Sequence, residues 1–173
     1  MLSTLVTEFK NTIVATVQGA SDILTSLRTA VKTQVVGSVS NVSEIVEASM
    51  VSAKDVGTTL VGVAKETVAA AIEGVSDTGG DVLQAVSKAV SGAVKGAAEV
   101  GEDVGSVAVS AVEGAIEVAG RLGKDTSEAT KNAIGSAVKT ADEVGGAAGK
   151  SVRDALLSAA SLPKDVVESL VKG

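Results

Sequence analysis

Apolar side chains recur along this chain every 11 residues. One column at that spacing holds only apolar side chains and glycine: Leu2, Ile13, Leu24, Val35, Val46, Gly57, Val68, Gly79, Val90, Gly101, Val112, Gly123, Ile134, Gly145, Leu156 and Val167. Four further columns, which start at Met1, Leu5, Val6 and Phe9, are mostly apolar or small. Among the 15 basic and 21 acidic residues, only Arg28 falls in any of the five columns.

Eleven residues in three turns give about 3.67 residues per turn, which is close to the α-helical value of 3.6. The five columns are neighbours on a helical wheel and cover about 165° of it, which is wider than a coiled-coil seam. No period of two persists, so the pattern does not predict strands. It predicts an all-α protein: a long amphipathic helical ribbon, either continuous or folded into an antiparallel helical bundle.

The larger side chains of this stripe form what we call the apolar face. Its members are Leu2, Ile13, Leu24, Val46, Val68, Ile72, Val90, Val94, Val112, Ile116, Ile134, Val138 and Leu156. We expect these side chains to be covered, by lipid or by other helices.

Two 11-residue units form a 22-residue repeat. AVSGAVKGAAEVGEDV, from Ala89, aligns with AVEGAIEVAGRLGKDT, from Ala111. One glycine recurs at this spacing, and we call the set the glycine ladder: Gly57, Gly79, Gly101, Gly123 and Gly145. A side chain on the stripe would add burial and helix propensity, so we interpret each glycine as a place where another helix approaches closely or where the ribbon bends. Drift in a degenerate repeat is the alternative.

The chain divides into three parts: N-terminal amphipathic helices over 1–40, repeats over 41–161 and a short C-terminal helix over 162–173. Ile23–Val36 reads as a helix, and Pro163 is expected to open the last helix, Lys164–Lys172. Two interruptions, 77–80 and 145–146, keep the 11-residue phase. We therefore expect gentle bends there rather than full loops.

The polar face is also ordered, because acidic residues favour one column and basic residues lie on one side of it. Its other flank is small and nearly neutral: Gly19, Ala30, Ser52, Gly74, Ala85, Gly96 and Ala129. This face is interpreted either as hydrated surface or as a helix-packing surface. In the second case the small flank accepts a neighbouring helix and bases meet acids across an antiparallel pair.

The amino-acid composition argues against most kinds of catalytic and binding site. The chain has no His, Cys, Trp or Tyr and a net charge of −6. We therefore predict no catalytic, cofactor or metal site, no small-molecule substrate and no binding of nucleic acid. The paired carboxylates Glu102–Asp103 and Asp142–Glu143 read as hydrated surface. No uncharged run is long enough to span a bilayer, and no secretory signal is evident, so we expect a cytoplasmic protein, free or peripheral on a lipid surface.

The repeats resemble known amphipathic proteins. VAKETVAAAIEGV (63–75) and AVSGAVKGAAEVGEDVGSV (89–107) resemble the 11-residue repeats of synucleins and long-repeat perilipins. The 22-residue unit is similar to exchangeable apolipoproteins, with glycine where those carry proline, and late-embryogenesis-abundant proteins also use 11-residue repeats. The resemblance implies a helix that lies on lipid.

Three functions remain open, and none is enzymatic. In the first, the ribbon coats an apolar surface such as a lipid droplet, a storage granule or a low-charge membrane. In the second, it packs against itself or its own copies as a bundle or tube with a scaffold role. The third is stress protection of the late-embryogenesis-abundant type. The expected partner is accordingly lipid, another apolar surface or a second copy of the chain.

Overall fold

A computed structural model describes residues 4, 6, 7, 11, 20–35, 39–55 and 59–173 of the chain. Over residues 20–35, 39–55 and 59–173 the structure has eight α-helices, and no described residue lies in a strand, which confirms the all-α prediction. The helices pack against one another in a bundle. They are α1 Ala20–Gln34, α2 Val42–Asp55, α3 Leu60–Asp77, α4 Val82–Glu99, α5 Val104–Arg121, α6 Thr126–Val144, α7 Gly146–Ser158 and α8 Lys164–Val171.

The 22-residue repeat is one helix plus one turn. Helices α3, α4 and α5 each have 18 residues, and four residues separate α3 from α4 and α4 from α5. The expectation of gentle bends is therefore wrong at both interruptions. Helix α3 ends at Asp77 and α4 begins at Val82, while the single residue Gly145 separates α6 from α7. The glycines end the helices, because their backbone leaves the helical conformation.

Hydrogen bonds at the turns explain why the helices end there. After α4, the N–H of Gly101 donates to the carbonyl of Ala98 at 3.2 Å and the N–H of Glu102 donates to that of Ala97 at 3.0 Å. This pair of bonds is the Schellman motif, which needs a left-handed residue, and Gly101 has φ of 71°. The carboxylate of Asp103 then accepts from the N–H of Ser106 and starts α5.

Two other turns repeat this arrangement. Gly79 and Gly123 have φ of 78° and 70°, and the same two backbone bonds close the turns around them. Asp81 and Asp125 then accept hydrogen bonds from the first-turn N–H groups of α4 and α6. The corresponding sequence motif is Gly-x-Asp, which recurs every 22 residues. Its glycine ends one helix and its aspartate begins the next.

Consecutive helices pack against each other and must run antiparallel. An 18-residue helix is about 27 Å long, and a four-residue connection spans at most about 14 Å. Helices two places apart run parallel instead. Gly92 of α4 lies against Ser43 of α2, and Gly96, four residues later, lies against Glu47, four residues after Ser43.

The helices thus form two layers, with α1, α3, α5 and α7 in one and α2, α4, α6 and α8 in the other. Within a layer the neighbours are parallel, and we call each such contact a seam. Between the layers lies a single core, built mainly of Val and Ala. That core includes Leu27, Val112 and Val167, one from each of the three predicted parts of the chain. At the N-terminal side, the hydroxyl of Ser52 donates to the carbonyl of Val6 at 3.0 Å.

The terminal helices agree with the sequence reading to within a few residues. Helix α1 spans Ala20–Gln34 where Ile23–Val36 was expected, and α8 spans Lys164–Val171 directly after Pro163. Helices α7 and α8 are shorter than the central ones and bury few residues of their own.

Candidate functional site

The apolar face lies inside the stack wherever the structure describes it. Its buried members are Val46, Val68, Ile72, Val90, Val94, Val112, Ile134, Val138 and Leu156. Leu24 and Ile116 are partly buried against the same core, while Leu2 and Ile13 lie outside the described residues. In this folded state the surface that sequence reasoning assigned to lipid or a partner is covered by the chain itself.

The glycine ladder lies at the turns. A Cβ atom built on Gly79, Gly101 or Gly123 would meet nothing within 4 Å. The interpretation of these glycines as points of close helix approach is therefore wrong, because they serve a backbone conformation. Gly145 has φ of 157° and also has open space, and Gly57 lies outside the described residues.

Close helix approach occurs at a second set of glycines, within the seams. A Cβ on Gly96 would lie 2.6 Å from Cβ of Met50, and a Cβ on Gly114 would lie 2.7 Å from the carbonyl oxygen of Lys65. A Cβ on Gly74 would lie 3.3 Å from the carbonyl oxygen of Lys32, and a Cβ on Gly92 would clash with that of Ser43. Gly74 and Gly96 belong to the small flank of the polar face, so at these two positions the second interpretation, a helix-packing surface, applies. The accepted helix is parallel rather than antiparallel.

Ion pairs line the outer rim of the seams. Glu73 of α3, 12% exposed, accepts from Arg28 of α1 at 2.8 Å and from Arg121 of α5 at 2.8 Å. One carboxylate thereby joins three parallel helices. The pKa of Arg28 is raised, chiefly by its hydrogen bond to Glu73. Lys32 also pairs with Asp77, at 2.8 Å.

A cleft of about 160 Å³ lies beside this network. Arg28, Lys65 and Arg121 line it together with Glu66 and Glu117. Lys65 donates to Glu117 at 2.6 Å, and this hydrogen bond lowers the pKa of the Glu117 carboxyl and raises the pKa of the lysine. Because each cation already faces a carboxylate, the cleft offers no surplus positive charge to an anion.

A like-charge pair occupies the seam between α2 and α4. The half-buried carboxyl of Glu47 lies near the exposed Glu99 of α4. Burial raises the pKa of Glu47, and hydrogen bonding to Glu99 and repulsion from Glu99 and Glu44 raise it further, while Lys95 lowers it. The sequence pattern does not single out this pair, because the register between α2 and α4 is needed to bring the two residues together.

A shallow groove runs along the outer surface of α5, between α3 and α7. It has a volume of about 420 Å³ and an apolar floor that includes Val61, Val109 and Ala155. Val61 is 44% exposed. The hydroxyl of Ser110, also in the groove, donates to the carbonyl of Val61 at 2.6 Å. The Ser110 hydroxyl in this groove is thus engaged in a hydrogen bond between α5 and α3.

Three of the four paired carboxylates take part in structural contacts. Glu102 pairs with Lys54, and Asp103 caps α5. Asp142 accepts two hydrogen bonds from Arg153, one of them at 2.6 Å, which lower the pKa of its carboxyl. Within the described residues no group of three or more acidic side chains could hold a metal ion. Glu102, Asp103 and Asp142 each bind a base or a helix N-terminus rather than a second carboxylate.

Comparison with protein-family models, with curated protein sequences and with solved structures finds no significant match. Among the helices that the structure describes, none is both long and apolar enough to cross a membrane. A function for this chain has therefore to be inferred from its own geometry.

Proposed function

We propose that this chain is a non-enzymatic structural protein, a two-layer helical stack with a scaffold role. The observation that carries the proposal is the burial of the apolar face: Val68, Val90, Val112 and Ile134 are fully buried between the layers. A surface coat needs that face for lipid. A scaffold needs it for its own rigidity.

The seams support the same proposal. Backbone approaches at Gly96 and Gly114 leave no room for side chains between parallel helices. Such interlocking favours one register over its alternatives, since a shift along the helix would place larger side chains where the glycines lie. Glu73 then ties α1, α3 and α5 together on the outside. These contacts suit a protein that holds a fixed shape.

The direct test is helicity and mass in dilute solution. A scaffold should show full helical circular dichroism in plain buffer, a cooperative unfolding transition and a discrete mass in light scattering. Neutral-lipid emulsion should change none of these. A largely unstructured chain that gains helix only on the emulsion would refute the scaffold and favour the coat.

A substitution pair tests whether the buried face holds the stack together. Val112→Asp places a carboxylate in the dry core and should destabilise the fold by several kcal/mol, because an unpaired charge is costly there. Val144→Asp makes the same change at a side chain that is 44% exposed and should cost little. Urea unfolding followed by circular dichroism measures both. Equal effects would contradict the proposed role of the face.

A second candidate function is an exchangeable lipid coat, in which the stack opens and the apolar face transfers to lipid. One observation favours it: the turn glycines Gly79, Gly101 and Gly123 have open space where a side chain would lie. No neighbouring helix covers these three glycines, and straightening the turns would restore the ribbon.

A disulfide across a seam separates the two candidates, because the native chain has no cysteine. The hydroxyl of Thr140 on α6 donates to that of Ser91 on α4 at 2.9 Å, so cysteines at both positions should form a bridge. A bridged chain cannot straighten between these residues. If oxidation abolishes binding to neutral-lipid emulsion and reduction restores it, the stack opens on lipid. The Ser91→Cys single variant is the control. Binding that is absent in every form supports the scaffold.

A further inference from the structure

We propose that Asp142 of α6 and Arg153 of α7, which we call the end pair, keep the stack from joining a second copy of the chain. The end pair covers the side of α7 that a further helix of the same layer would contact. Without the pair, this side is a docking surface for a second copy. The inference rests on the scaffold proposed above, because it requires a folded stack in solution.

The end pair lies on the side of α7 that faces away from α5. Helix α7 contacts α5 at Gly105, whose Cβ position lies 2.7 Å from the carbonyl oxygen of Ser151 and 3.0 Å from Cβ of Ala155. Each residue advances about 100° around a helix, so Arg153, two residues from each of these, lies on the opposite side of α7. Among the described helices α7 is the last of its layer, since α8 belongs to the other one.

The side chains of the end pair fill the space beside Gly149. The guanidinium of Arg153 donates to the carbonyl of Gly149 at 3.2 Å and to the carboxylate of Asp142 at 2.6 Å. A Cβ built on Gly149 would clash with the same carboxylate and would lie 3.1 Å from the guanidinium. Gly149 is buried, and outside its own helix backbone the three atoms nearest to that Cβ position all belong to the end pair.

The seam between α5 and α7 shows the same side of a helix when a neighbour is docked on it. Ala98, Gly105 and Val109 lie two 22-residue repeats before Asp142, Gly149 and Arg153, respectively. The glycine is the same in both sets. The end pair stands where the closed seam has alanine and valine, so the far side of α7 differs from a seam surface at these positions by one acid and one base.

The direction of pairing also separates the end pair from a seam. Lys65 lies two repeats before Val109, on the side of α3 that contacts α5, and it pairs forward with Glu117 of α5 at 2.6 Å. Arg153 instead pairs back to α6, the helix before its own. A helix that docked over the intact end pair would remove both charges from water, and that costs free energy.

A second copy of the chain is the partner that the far side of α7 matches. Helices α1, α3, α5 and α7 already pack in this order, with backbone approaches such as Gly114 to Lys65 and Gly105 to Ser151. A docked helix of a second copy would continue that series of seams. Such a contact joins the end of one stack to a different surface of the next, so it adds copies in a row.

Light scattering of a double variant, Asp142→Ala with Arg153→Val, tests the proposal. The variant carries the residues that the preceding seam has at these positions, and its net charge is that of the wild type. Its molar mass should rise with concentration to at least about twice the wild-type value, as docking of a second copy requires, while the wild type keeps one mass. A double variant with wild-type helicity and wild-type mass at every concentration would overturn the proposal.

A third substitution locates the contact. Gly149→Leu, added to the double variant, fills the space that a second copy would approach, so the mass should return to the wild-type value. Association that persists would place the contact elsewhere and overturn the proposal. The matched control is Lys65→Val with Glu117→Ala, which removes an exposed ion pair from a seam that is already closed. Its mass should equal that of the wild type, and association of this control would reduce the effect to a general loss of charge.

Circular dichroism and lipid binding separate the remaining outcomes. A wild type without helix in plain buffer would refute the scaffold and the end pair together. If the double variant loses helix, the single variant Asp142→Ala takes its place with the same expected rise in mass, because Arg153 then has no carboxylate to hold it beside Gly149 and extends into water. A helical double variant that stays monomeric and binds neutral-lipid emulsion would make the far side of α7 a lipid surface and overturn the second copy as its partner.

Discussion

The turns and the seams of this stack both depend on glycine, and they use it for different reasons. At the turns, Gly79, Gly101 and Gly123 adopt positive φ and have open space around them. In the seams, Gly96 and Gly114 have ordinary helical geometry and lie against the backbone or side chain of a parallel helix. The turn glycines are needed for their backbone conformation, and the seam glycines for their small size. The loss of unfolding free energy on substitution should therefore rise with side-chain size in the seams and stay nearly constant at the turns.

The largest effect is expected in a seam. Gly114→Ala would bring a Cβ to 2.7 Å from the carbonyl oxygen of Lys65 and should cost about 1–3 kcal/mol of unfolding free energy through overpacking. Gly114→Leu should cost more than Ala. Urea unfolding measures both. The control is Gly135→Ala, inside α6 and with nothing within 4 Å, which should stabilise the fold by about 0.5–1 kcal/mol. A harmless Gly114→Leu would remove the distinction between seams and turns.

A turn glycine should respond to any side chain by a smaller and nearly constant amount. Gly101→Ala should cost about 1–2 kcal/mol, because alanine disfavours the left-handed conformation at φ of 71°. Gly101→Leu should cost nearly the same, since the space is open, and Gly101→Asn should cost less. Thermal unfolding of the three variants provides the comparison. A cost that rises steeply from Ala to Leu would mean that another helix does approach this glycine.

The aspartates that follow the turn glycines should matter less again. Asp103→Ala removes the acceptor for the first-turn N–H of Ser106 and should cost about 1 kcal/mol. Hydrogen bonds from the Ser106 hydroxyl and N–H lower the pKa of Asp103, so its contribution is present above the unfolded pKa and is lost as the pH falls through the folded one. The difference between wild type and variant should therefore shrink in acid. A difference that stays constant would show that Asp103 does not act as a charged cap.

The smallest effect is expected at the exposed rim of the seams. Glu117→Gln breaks the pair with Lys65, whose side chains are 55% and 41% exposed. Water screens such pairs, so the cost should not exceed a few tenths of a kcal/mol. Chemical denaturation at low and high salt measures it. A cost similar to that of Gly114→Ala would mean that ion pairs, not backbone approach, hold the parallel helices in register.

The apolar period predicts a large part of this fold. Five columns that hold a single charged residue are sufficient to predict helices and their inward side chains, including Val68, Val90 and Val112. The pattern does not predict what covers the apolar face, because lipid, a second copy of the chain or the chain's own helices could each cover an apolar stripe of this width. Which of these the protein uses depends on whether the ribbon turns back.

The 11-residue period does not reveal the turns, because a continuous helix and a helix followed by a turn can have the same 22-residue repeat. Twenty-two residues are six turns of a helix with 3.67 residues per turn, so a continuous ribbon keeps its phase. The structure uses the same 22 residues as an 18-residue helix and a four-residue turn, which keeps the phase as well. Periodicity alone cannot separate the two. Gly101 followed by Asp103, and Gly123 followed by Asp125, could have done so, since a helix stop two residues before a helix cap marks a reversal.

The seams could not be predicted from sequence in the same way. Residues such as Ser43 and Gly92, or Glu47 and Glu99, are about 50 positions apart, and their contact depends on two reversals and on the stagger of parallel helices. Small residues at Gly74 and Gly96 indicated that some helix would approach. Which helix, and in which direction, required the three-dimensional arrangement.

The two-layer stack has a consequence for how the chain folds and comes apart. Each helix makes its substantial contacts with helices one or two places away along the chain, so the interfaces form a series of neighbouring contacts, as in a repeat protein. Such a fold can begin at any pair of neighbouring helices and can grow in both directions. Loss of structure should correspondingly start at the terminal helices, among them the short α7 and α8, and move inward, one helix at a time, while the centre stays folded.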